Sequence, residues 1–207
     1  MNRHASRLIH QAASLLLSYP GEDWTARLDL VRAALGGADG TGGAAAQRLR
    51  GFCAEAAALP ALDAGAAYVA TFDRSGRRTL HMTYYGDGDT RRRGESLLEL
   101  KTLYRDHGWQ PGTGELPDYL PVMLEFAARV PGPGGRLLRD HRPGLDLLHT
   151  GLTARRSRYA AVVEAVLLTL PRATSADRRT VDERTALGPP AERVGRTVLP
   201  EVPGGVR

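Results

Sequence analysis

From Leu8 to Leu170, apolar residues recur three and four positions apart, and Pro or Gly repeatedly interrupts them. That period puts side chains on one face of a helix, whereas the two-residue alternation of a half-buried strand is almost absent. The stretches follow in order. Leu8, Ala12, Leu15, Leu16 and Tyr19 form a first stripe, stopped by Pro20. Trp24, Leu28, Val31 and Leu35 form a second, followed by a flexible loop from Gly36 to Gly43. Leu49, Phe52, Cys53 and Ala56 form a third, ending near Pro60, and Leu62, Ala66, Val69 and Phe72 a fourth, before a polar loop from Arg74 to Arg78. Leu97, Leu98, Leu100, Leu103 and Tyr104 continue the pattern to Gly108. Leu120, Met123, Leu124 and Ala127 come next, before a break at Pro131-Gly132-Pro133-Gly134-Gly135. Leu137 to Leu152 then carry a helix that Pro143-Gly144 must kink or restart, and Tyr159 to Leu170 carry the last, ended by Pro171. The pattern predicts an all-α, single-domain helical bundle over residues 1–171. From 172 to 207 Pro, Gly, Arg and acidic residues dominate without apolar period, which predicts a mostly disordered, flexible tail.

Composition narrows the function classes. The formal net charge is +5, but Lys101 is the only lysine. The densest basic run, Arg91-Arg92-Arg93, lies among Asp87, Asp89, Glu95 and Glu99, within pairing distance along a helix. A helical nucleic-acid-binding protein is the alternative reading. It requires an uncompensated basic face, which these interleaved acids oppose. Cys53 stands alone, so neither an intramolecular disulfide nor a thiolate metal site can form, and a reducing compartment is expected. The six histidines show no HExxH spacing. No phosphate-cradling loop or nucleophile elbow follows a strand pattern. No cofactor, metal site or catalytic residue is therefore expected. No stretch reaches the ~20 apolar residues needed to span a bilayer, no signal peptide is evident, and the expected location is the cytoplasm.

Two segments carry more than a helical hairpin needs. Leu80-His81-Met82-Thr83-Tyr84-Tyr85 mixes apolar and aromatic residues between charges. Glu115-Leu116-Pro117-Asp118-Tyr119-Leu120-Pro121 puts acids, an aromatic hydroxyl and two prolines in one corner. Read for structure, the corner opens a helix, with proline tolerated in the first turn and Asp118 or Glu115 capping it. Read for binding, it is a rigid recognition element.

Resemblance adds to this. Tyr68-Val69-Ala70-Thr71-Phe72-Asp73, then Gly86-Asp87 with Arg91 to Gly94, Leu97 to Tyr104, and the 115–121 corner with Leu124-Glu125-Phe126 occur in one order. With Leu15 to Pro20 before them and Ser157-Arg158-Tyr159-Ala160 after, this order resembles the NarJ family over residues 8–171. That family comprises nitrate reductase delta subunits, or molybdenum cofactor assembly chaperones, related to the TorD-like redox enzyme maturation chaperones. The resemblance implies a TorD-like bundle. It also implies a cytoplasmic chaperone that binds the catalytic subunit of a respiratory nitrate reductase, by its N-terminal segment, while cofactor is inserted. Cofactor delivery proteins are further implied partners. We infer a groove that buries the apolar face of an amphipathic client segment. Its expected residues are Leu80, Met82, Tyr84, Tyr85, Glu115, Pro117, Asp118, Tyr119, Leu120 and Leu124, with Asp118 or Glu115 pairing a basic client residue at the rim.

Overall fold

A computed structural model describes residues 2–36, 43–73, 78–112 and 114–188. The elements are α1 (Arg3–Leu17), α2 (Trp24–Gly36), α3 (Gly43–Ala57), α4 (Ala61–Phe72), α5 (Tyr84–Asp87), α6 (Arg91–Asp106), α7 (Leu120–Arg129), α8 (Pro131–Asp140), α9 (Arg142–Ala154), α10 (Tyr159–Leu167) and α11 (Ser175–Leu187). The architecture is all-α, as the periodicity predicts. Among the described residues the only β pairing is one isolated bridge. The loops expected around 37–42 and 74–77 lie outside the described residues.

α1 starts where the Asn2 side chain accepts from the Ala5 amide at 2.8 Å, supplying one of the partners a first turn lacks. It packs most extensively against α7 and also against α10, and α10 packs against α3 and α9. The central core is therefore Ile9, Leu16 and Leu17 from α1 with Leu120, Met123, Leu124 and Phe126 from α7 and Val162, Val163 and Val166 from α10. The stripes of α2, α3, α9 and α10 fall where the spacing predicts. Two others are turned. α1 buries Ile9 and Ala13 with Ala12, Leu16 and Leu17, which leaves Tyr19 54% exposed. α4 buries Ala64, Tyr68 and Phe72 and leaves Leu62 84% exposed. Alanine-rich α4 offers little contrast between its faces, so packing partners choose the buried one; α1 has a strong apolar face, which lies slightly round from the stripe read through Leu8 and Leu15.

The prolines act as starts more than stops. Pro131 and Pro133 lie in the first turn of α8, and Pro143 in the first turn of α9, so Pro143-Gly144 restarts the helix rather than kinking it. The expected break at 131–135 is likewise the opening of α8. Gly134 packs directly on Ala127 of α7.

The expectation of a mostly disordered segment from 172 does not hold for 175–187. There Thr174 and Asp177 form a capping box, each satisfying the other's backbone amide. α11 has no fully buried residue. It lies along α9, and its half-buried Arg184 sits beside Asp87 at the edge of a cleft of about 300 Å³. Composition hid this helix, although Thr174-Ser175-Ala176-Asp177 is a recognisable start signal. The remainder of that expectation falls on 189–207, outside the described residues.

Buried His10 on α1 makes stability depend on pH. Its Nε2 lies 2.8 Å from Thr169 Oγ1. Burial pushes its pKa down from 6.5 to about 4, against a smaller upward pull from the backbone of Ala127. Below pH 6.5 the unfolded chain takes up a proton that the native chain refuses. Stability should thus fall as pH drops from 6.5 towards 4, by on the order of 3 kcal/mol in total. Urea unfolding at stepped pH should show this slope, and His10→Gln should flatten it. An unchanged slope in the variant would assign it to other groups.

Candidate functional site

The two segments singled out in the sequence meet in the structure. Residues 80–82 run antiparallel to 118–120. The Met82 amide donates to the Asp118 carbonyl at 2.9 Å, and the Leu120 amide donates to the Leu80 carbonyl at 2.8 Å. Both segments link helices through the protein interior, where unpaired backbone groups would be costly, so they pair with each other. From α6, the Tyr104 hydroxyl donates to the Pro117 carbonyl at 2.6 Å. Pro117 itself lies in a turn before α7, whose cap position is Tyr119. The expectation that Pro117 opens the helix is corrected accordingly: Pro121 occupies the first turn instead.

Asp118 is fully buried. Its Oδ1 lies 3.0 Å from His81 Nδ1, and its Oδ2 accepts from Thr83 Oγ1 at 2.5 Å and faces the Arg93 guanidinium at 3.5 Å. Arg93 Nε in turn donates to Thr83 Oγ1 at 3.3 Å, and its terminal nitrogen lies 3.6 Å from Asp89. Burial alone would raise the carboxyl pKa. The hydrogen bonds from His81 and Thr83, with the charges of His81 and Arg93, outweigh it and hold the pKa below the ordinary value. The carboxylate therefore stays ionised and anchors the 80–83 segment and α6 to the corner. It neither caps α7 nor reaches a rim, and both expectations are corrected on this geometry. The same contacts tie one arginine of the basic run to two acids, which further weakens the nucleic-acid reading.

The other candidates divide. Leu80, Met82, Tyr85, Pro117, Leu120 and Leu124 are buried, so an apolar groove built from them is not open here. Leu80, Met82, Tyr85, Leu120 and Leu124 are part of the protein's own core. Tyr84 and Tyr119 are half-buried and Glu115 is exposed. Tyr84 packs edge-on against Tyr85.

Around Tyr119 the structure assembles a face that the spacing did not reveal. Tyr119 Oη lies 2.8 Å from Tyr68 Oη, and Tyr68 donates onward to the Leu17 carbonyl at 2.9 Å. Tyr119 is thus the donor to Tyr68. Burial raises the pKa of both phenols, so both stay protonated near neutral pH. Tyr19 stacks edge-on over Tyr68 at 5.4 Å, and the His81 ring lies 5.6 Å from Tyr119. Tyr19 stands so close above Gly65 that a Cβ there would come within 2.9 Å of its hydroxyl. Exposed Glu115 and Leu116 border Tyr119 through the turn in which the Tyr119 amide donates to the Leu116 carbonyl. Tyr19 was obscured by its apparent place on the α1 stripe, and Tyr68 by its place one position off the α4 stripe.

The family model described as nitrate reductase delta subunit matches residues 37–163, more than half of the chain. The chain belongs to the nitrate reductase delta subunit family. A probable NarJ, a nitrate reductase molybdenum cofactor assembly chaperone of Bacillus subtilis, is 33% identical over 171 residues, covering 82% of this chain and 92% of its own length. The nitrate reductase-like protein NarX of Mycobacterium tuberculosis is 40% identical over 163 residues, but this chain spans only 24% of its length. Among solved structures, a putative redox enzyme maturation protein from Archaeoglobus fulgidus aligns with a TM-score of 0.56 at 25% identity, over 77% of this chain and 90% of that one. The NarJ relatives of Bacillus subtilis and Escherichia coli are named as molybdenum cofactor assembly chaperones.

Among the described residues of this family member, no three His, Cys, Asp or Glu side chains group to hold a metal ion. Cys53 is buried, and burial pushes its thiol up to about 11, which makes it a packing residue rather than a thiolate. No described helix is long and apolar enough to cross a membrane.

Proposed function

We propose that this chain is a cytoplasmic chaperone for the catalytic subunit of a respiratory nitrate reductase, holding an N-terminal client segment while molybdenum cofactor is inserted. The observation supporting this reading is the match to a NarJ chaperone over 92% of that protein's length. Cofactor delivery proteins join as further partners. The docking surface we propose is the Tyr19–Tyr119 face with Leu116 and Glu115. Aromatic side chains give contact area at small entropic cost. Their hydroxyl relay holds Tyr119 in place before the client arrives, and Glu115 supplies a charge for a basic client residue at the rim.

Calorimetry with a peptide copying the client N-terminus tests this. Binding should show a negative heat-capacity change and only a modest loss with added salt. Tyr119→Ala and Tyr19→Ala should each weaken it by about tenfold, or ~1.4 kcal/mol. Unchanged affinity in both variants would remove this face from the reading. A pull-down from cells grown without oxygen on nitrate should recover the catalytic subunit, and its absence there would count against the chaperone assignment itself.

A further inference from the structure

Ser157-Arg158-Tyr159-Ala160 and Tyr68 to Asp73 both entered the resemblance, yet neither is fully used by the face around Tyr119. They converge elsewhere. The turn between α9 and α10 meets the outer side of α4 across an open cleft of about 290 Å³. Four arginines line it, Arg155, Arg156 and Arg158 from the turn and Arg78 from the opposite wall, together with Ser157 and Thr71. No carboxylate side chain lines the cleft. The ion pairs of the described residues involve other arginines.

Two of these arginines are held in place by backbone contacts. Arg78 Nε donates to the Thr71 carbonyl at 2.8 Å, and an Arg158 terminal nitrogen donates to the Glu55 carbonyl at 3.3 Å. Arg156 has φ of +52°, the left-handed region, and among the described residues it is the only non-glycine there. Glycine or asparagine would adopt that helix-ending conformation at less cost. An arginine kept in such a position, among three others, is a pattern that favours function over packing. The first turn of α10 begins at Tyr159 on the same cleft, adding the positive end of a helix dipole. Four like charges repel one another until an anion lies among them. Planar guanidiniums fit phosphate oxygens in pairs. The volume is at the small end of ligand pockets, which suits one or two phosphate groups rather than a whole large cofactor.

We propose that this cleft binds the phosphate or diphosphate group of a small molecule. The site does not depend on the client-binding reading.

The test is calorimetric titration of the full chain with inorganic diphosphate at constant ionic strength. Saturable one-to-one binding is expected. Arg155→Gln/Arg156→Gln, which alters two exposed side chains, should weaken it by about tenfold or more. Arg78→Gln should weaken it from the other wall, whereas Arg136→Gln, outside the cleft, should not. Circular dichroism spectra matching the wild type establish that the variants are folded. No saturable binding, or binding by the double and Arg78 variants as tight as that of the wild type, overturns the proposal. A single-stranded oligonucleotide is the third arm. If it binds, loses affinity in the Arg155/Arg156 and Arg78 variants and is not displaced by diphosphate, the cleft reads a nucleic-acid backbone and the small-molecule site is refuted.

Discussion

Asp118→Asn should destabilise the protein by about 3 kcal/mol or more, because removing one member of a buried ion cluster leaves the others without a counter-charge. Arg93 lies 3.5 Å and His81 3.0 Å from the carboxylate, and a neutral amide would also turn a donor toward the Thr83 hydroxyl. The change should appear as a large drop in melting temperature. Read from sequence, Asp118 lay at an accessible corner, where its loss would weaken client binding and spare the fold; burial reverses that expectation. Acid provides a second readout. The native carboxyl titrates below its ordinary value of 3.8, so the unfolded chain protonates first. The stabilisation is complete above that value and is lost as pH falls through the native pKa. The Asn variant should lack this acid limb. A variant that melts within a degree or two of wild type would show that Arg93 and His81 find other partners.

Gly134→Ala should destabilise nearly as much, for a steric reason. A Cβ at 134 would lie 2.3 Å from Ala127 Cα and 2.9 Å from the Ala127 amide nitrogen. Backbone cannot rotate aside as a side chain can, so α8 would have to lift from α7, at a cost of about 2–3 kcal/mol. Gly135 is the internal control. A Cβ there meets nothing within 4 Å, so Gly135→Ala should be neutral or gain up to ~1 kcal/mol from helix propensity. Urea unfolding of the two neighbours separates close approach from propensity. Equal stabilities would contradict the tight α7–α8 crossing.

The bundle was legible because stripes such as Trp24, Leu28, Val31 and Leu35 recur at helical spacing between clear stops. Phase was lost in α4, where alanine dilutes the contrast, and in α1, where the stripe was read slightly round from its strong apolar face. That loss concealed the exposure of Tyr19 and the role of Tyr68. The 80–85 and 115–121 segments were legible as unusual, but their purpose was not. The same mixture of apolar, aromatic and acidic residues serves a buried anchor or an open groove. Only the distances from Asp118 to His81, Thr83 and Arg93 decide between them. The arginine cleft was invisible for a different reason: its walls, Arg78 and Arg155 to Arg158, are far apart in the chain.

The placement of α1 bears on how the chain is made. Its apolar face is covered by α7 and α10, whose residues follow more than 100 positions later. At ~5–20 residues per second of synthesis, α1 leaves the ribosome on the order of 10 seconds before α10 exists. Until α7 and then α10 emerge, α1 has only α2 and α3 among its native neighbours, and much of the face that carries Ile9, Leu16 and Leu17 is uncovered. The last central helix to be synthesised, α10, is one of those that close over the first.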